Sequence, residues 1–166
     1  WQLLANQGRQ CVVAHYPLSW PANASAAGQD NLFVVSGWIG TPDAGGEQNA
    51  FYPPNLGDEI ERQTGLAWEA LNPAQSRQHD FAHYIREAES HQRRKCRLFT
   101  FLIKHYAPDF FAGVFFDTDR VLHLGMDRLE TNPDDSSILS YFKHLDTCLG
   151  ELVELLDGYA VFVISD

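Results

Sequence analysis

A chain of 166 residues, 45% hydrophobic and 20% charged, is about one domain long and has enough apolar material to fill a core, which excludes disorder over most of its length. Lys+Arg 12 against Asp+Glu 22 leaves a formal charge of -10, which repels phosphate backbones and anionic membranes, so no nucleic-acid surface and no membrane partner are expected. No apolar run long enough to span a bilayer and no export signal is visible. With Cys11, Cys96 and Cys148 odd in number and lacking C-x-x-C spacing, a reducing, cytoplasmic setting is expected, with neither a disulfide framework nor a zinc knuckle.

In chain order, Trp1, Leu4 and Ala5 at helical spacing before Gly8 read as the tail of a helix. Cys11 to Tyr16 is a short strand ended by Pro17, and 17–30 is loop, its Asn23-Ala24-Ser25 sequon taken as chance. Asn31 to Trp38 is a second strand. The glycine- and proline-bearing loop after it lacks any P-loop or dinucleotide pattern, and Pro53-Pro54 leads into a helix over Leu56 to Thr64, closed by Gly65.

The longest helical pattern covers 78–106, with Phe81, Tyr84, Ile85, Ala88, Leu98, Phe99, Leu102, Ile103 and Tyr106 recurring at intervals of three and four until Pro108. His79, His83, His91 and His105 lie in or beside it; His79 and His83 are at i, i+4 but lack the glutamate of a zinc-binding H-E-x-x-H helix. The run Arg93, Arg94, Lys95 and Arg97 reads as the solvated face of this helix.

Residues 110–116 are expected to form the organising strand, buried on both faces, because an unalternating run of Phe and Val suits the middle of a sheet covered on both sides. Asp117, Thr118, Asp119, Arg120 and His123 follow at once. Pro133-Asp134-Asp135-Ser136 starts another helix, whose stripe Ile138, Phe142, Leu145, Leu149, Leu152 and Leu156 should pack on the sheet. Tyr159 to Ser165 reads as a further buried strand, which would make the C-terminal part a right-handed crossover unit.

Ligands in open α/β sheets bind outside the carboxyl ends of the strands, and parallel strands would bring Asp119 and Asp166 to one such edge. Asp119 and His123 are spaced D-x-x-x-H. On a helix their Cβ atoms would lie about 5–6 Å apart, close enough to share a cation, and mixed carboxylate and imidazole donors suit zinc, manganese or iron. Strand alternation alone does not choose between Asp117 and Asp119, while Asp127 is read as solvated. A non-catalytic α/β interaction domain, with these acids serving only as caps, is the alternative.

FFDTDRVLH, the helix carrying Leu145-Asp146 and Leu149-Gly150, and VFVISD together resemble the second half of a metal-dependent phosphohydrolase of the alkaline phosphatase superfamily. The type I phosphodiesterase/nucleotide pyrophosphatase branch is the nearest, and YPLSWPANASAAGQDNLFVVSGWIGTP is similar to its segment between a "yP..wP" loop and a "vSG...TP" strand. The resemblance implies a three-layer α/β/α sandwich with a mainly parallel sheet. It implies two divalent metal ions, zinc or manganese, held in part by Asp119, His123 and Asp166, and a phosphate mono- or diester as substrate; the family spacing to His123 favours Asp119 as the ligand and leaves Asp117 as a supporting or capping acid. In that family a Ser or Thr near the N-terminus attacks phosphorus. Ser36 and Thr41 sit in the family's loop segment, outside its nucleophile motif. Residues 1–166 are thus expected to be an internal part of one phosphohydrolase domain, without the nucleophile segment or the C-terminal metal-binding histidine, and inactive alone. A sulfatase or phosphomutase of the same superfamily is the neighbouring possibility.

Overall fold

The computed structural model describes residues 1–22, 28–37, 49–67 and 80–165. The sequon, Trp38, Thr41, His79 and Asp166 lie outside the described residues. Strands Cys11–Tyr16 (β1), Leu32–Ser36 (β2), Phe51–Tyr52 (β3) and Phe110–Gly113 (β4) form a sheet in the order β3-β2-β1-β4. β1 runs parallel to β2, with Cys11 opposite Leu32, and parallel to β4, with Cys11 opposite Phe110. The two-residue β3, which falls in the stretch read as loop, adds antiparallel to β2.

The helices are Gln2–Asn6 (α1), Leu56–Thr64 (α2), Phe81–Tyr106 (α3), Asp117–Thr131 (α4) and Ser136–Glu154 (α5). Because successive strand residues point to opposite faces, β1 feeds two cores. Val12 and Ala14 pack with Val35, Leu56, Ile60, Leu98, Phe99 and Leu102, which places α2 and α3 on that face. Cys11 and Val13 pack with Leu32, Val34 and Ala5, with Trp1 and Leu4 closing over them from α1. The result is the expected three-layer α/β/α arrangement with a mainly parallel sheet. A third cluster, Tyr84, Ile85, Ala88, Val121, Ile138 and Tyr141, joins α3, α4 and α5 without any strand residue.

A glycine and two capping acids set several boundaries. Gly65 takes φ 68 at the end of α2, a left-handed conformation that costs glycine little. Asp80 caps α3 by accepting from the His83 backbone N–H at 2.7 Å, and Asp135 caps α5 by accepting from those of Ser137 and Ile138.

Three expectations are corrected. The ladder of β4 ends at Gly113, and the strand is only half-buried, because it is the edge of the sheet and pairs with β1 alone among the described residues. Residues 159–165 form no strand: Phe162, Val163 and Ile164 are 82%, 71% and 89% exposed, and the segment is tied back by Tyr159 Oη donating to the Pro108 carbonyl at 2.8 Å. An apolar run becomes a strand only where a ladder partner satisfies its backbone, and none of the described residues supplies one here. The crossover unit is therefore not closed. Finally, the α5 stripe packs chiefly on α3, with Cys96 Sγ 3.8 Å from the Cys148 carbonyl oxygen. All three cysteines are free and buried.

Candidate functional site

Parallel pairing brings the carboxyl ends of β1, β2 and β4 to one edge of the sheet. β1 ends there in a bulge at His15, which takes φ 57, and β4 passes through 114–116 into α4. Residues 117–131 form a full helix, so the D-x-x-x-H spacing lies on consecutive turns. Asp119 Oδ1 and His123 Nε2 stand 3.2 Å apart, with side chains 49% and 78% exposed.

The opposite side of α4 is anchored. Asp117, Val121 and Gly125, four residues apart, are buried, and a Cβ on Gly125 would meet Ile138 Cδ1 at 2.7 Å. Asp119 and His123 each lie two residues on from members of that stripe, about 200° around a helix of 3.6 residues per turn, which turns them outward.

Asp117 is buried against α3. Its Oδ2 accepts from His91 Nδ1 at 2.6 Å and lies 3.5 Å from Lys95 Nζ, and all three side chains are sealed from water. Burial alone would raise the Asp117 carboxyl, but the His91 hydrogen bond and the Lys95 ammonium outweigh it and hold it down at about 2. Burial pulls Lys95 below its ordinary value, with Asp117 opposing. His15 is pushed well below its ordinary range by burial and then by the charges of Lys95 and His91, so it sits neutral; its Nε2 has no hydrogen-bond partner among the described residues. Tyr84, beside the cluster, is raised to about 12 by burial and then by the Asp117 charge.

Lys95 corrects the reading of 93–97 as a solvated face, since it is 2% exposed. The signal was present in the long helix: its apolar stripe has a gap between Ala88 and Leu98, and His91, Gln92 and Lys95 fill it as fully buried residues. Asp117 fits the reading of a supporting acid. His83 lies 3.1 Å from Glu87. Ser36 is buried, with its Oγ unpartnered among the described residues.

The structure thus brings Asp119 and His123 together, and Asp166 lies outside the described residues. No group of three or more His, Cys, Asp and Glu side chains converges among the described residues. One carboxylate oxygen and one imidazole nitrogen, both reachable from solvent, fit two positions of a zinc or manganese site.

Acid should expose the cluster's contribution to stability. An unfolded aspartate titrates near about 3.9 and Asp117 in the fold at about 2, so the stabilisation is whole above the unfolded value and is lost as pH falls through the folded one. Urea unfolding at graded pH should show a loss of about 2 kcal/mol from this group between about pH 5 and pH 2, absent in Asp117→Asn.

A family model described as type I phosphodiesterase / nucleotide pyrophosphatase matches residues 1–166. No curated protein and no solved structure matches the chain.

Proposed function

From its place in the type I phosphodiesterase / nucleotide pyrophosphatase family, to which this chain belongs, we propose that it supplies part of a two-metal site for hydrolysis of phosphate mono- or diesters. The observation that carries this reading is the Asp119–His123 pair, 3.2 Å apart and open to water just beyond the carboxyl end of β4. In this reading Asp119 and His123 hold one divalent cation, zinc or manganese, and Asp166 contributes to a second. Such ions, when bound, stabilise the negative charge that builds on phosphoryl oxygens during in-line displacement. The chain's own part is to present a carboxylate and an imidazole at fixed separation on a helix whose other face is packed. Attack on phosphorus is assigned to a hydroxyl from another segment, because Ser36 is sealed in the core.

Calorimetry with zinc or manganese on the whole protein tests the reading. Stoichiometric uptake is expected, and Asp119→Ala or His123→Ala should each weaken it by at least about 100-fold, because each removes a donor from a small ligand set. Absence of uptake by the unaltered protein would overturn it in favour of a non-catalytic α/β domain.

A further inference from the structure

We propose that His91 and Lys95 are positioning residues for the Asp119–His123 pair: by gripping Asp117 from α3 they set the rotation of α4 about its own axis. This rests on the reading of Asp119 and His123 as cation ligands.

Among the described residues, the first turn of α4 has little else polar to orient it against α3. Phe116, at the N-cap, makes no side-chain cap, and the Thr118 hydroxyl only bonds back to the Phe115 carbonyl at 2.8 Å. Asp117 is the one polar side chain of α4 that is buried among the described residues, and both α3 groups converge on the same oxygen, Oδ2. His91 and Lys95 are themselves one turn apart on α3, which is packed along its length against the sheet and α5.

A hydrophobic contact such as Val121 against Ile138 and Tyr141 tolerates sliding, since it has no preferred direction. A desolvated carboxylate held by an imidazole N–H and an ammonium does not, because any rotation that withdraws the oxygen leaves buried charge unpaired. Asp117 therefore locks the inner face of α4, and the outward direction of Asp119 and His123 follows from the helix geometry.

The test uses the whole protein carrying His91→Gln or Lys95→Met, with zinc calorimetry and amide hydrogen exchange of the metal-free form. Groups that support metal ligands typically contribute about 10–100-fold to affinity, so zinc binding should weaken by that factor without change in stoichiometry. Exchange should quicken selectively in the first two turns of α4 while β1 and α5 keep their protection. If Lys95→Met alone does not fold, Lys95→Met/Asp117→Asn, which buries no lone charge, takes its place with the same expected result. Unchanged zinc affinity together with unchanged α4 exchange overturns the proposal. So does a rise in exchange spread evenly over α3, α4 and α5, which would make the cluster a general stabiliser. If the unaltered protein takes up no zinc, the function proposed above fails, while localised loosening of α4 still decides whether His91 and Lys95 orient it.

Discussion

Asp117→Ala is expected to destabilise the fold by about 3–5 kcal/mol, measured by urea unfolding near neutral pH. The substitution removes the only carboxylate that faces Lys95 within ion-pair distance among the described residues and leaves an ammonium buried at 2% exposure. Water cannot reach it, so the cost is that of an uncompensated charge and far exceeds the roughly 0–1 kcal/mol typical of a surface pair. His91 would also lose the acceptor that now lies 2.6 Å from its Nδ1. The contrast with Asp117→Leu/Lys95→Met is the informative part. Removing both charges together should return most of the stability, because an apolar pair of similar size avoids desolvating ions. A double variant as unstable as Asp117→Ala would show that the penalty is lost packing, with charge playing little part.

Phe99→Ala should cost about 3–5 kcal/mol in the same assay. Phe99 is 1% exposed and joins α3 to the sheet. Its ring meets Phe111 at 5.5 Å and Phe115 at 5.1 Å, both edge-to-face, and a Cβ on Gly113 would come within 2.9 Å of its Cε2. Edge-to-face pairs add about 0.5–1.5 kcal/mol beyond the area they bury. The flat backbone at Gly113 lets the ring lie against the strand, so the cavity left by alanine has no nearby side chain on that residue to collapse into it. Phe99→Leu should recover about half of the loss, since it refills volume without restoring the ring geometry.

Local chemistry made much of this legible in the sequence. β1 begins after a helix end marked by Gly8 and stops before Pro17; α2 is bracketed by Pro54 and Gly65; Asp135 announces α5. The Asp119–His123 contact was readable only on condition that the stretch is helical, since i, i+4 residues meet on any helix, and the helix over 117–131 was not itself among the expectations. What could not be read depends on pairings between distant segments. Nothing in the Phe- and Val-rich run 110–116 says that its strand lies at the edge of the sheet, for that depends on no other segment among the described residues pairing with its outer side. Apolar side chains in 161–164 look the same whether or not a ladder partner is beside them. Lys95 misled because basic runs are usually solvated; its burial depends on Asp117, which lies in another helix and was itself readable only as an acid of uncertain duty.

The position of β1 has a kinetic consequence. β1 is made well before β4, which joins it through contacts such as Gln10 to Asp109, 99 residues apart. At a synthesis rate of about 5–20 residues per second, β1 must wait roughly 5–20 s on the ribosome for that neighbour. Closing so long a loop also precedes any reward from the contacts it permits, a topology that slows folding. Until then, one side of the sheet's central strand is available to whatever apolar segment reaches it first.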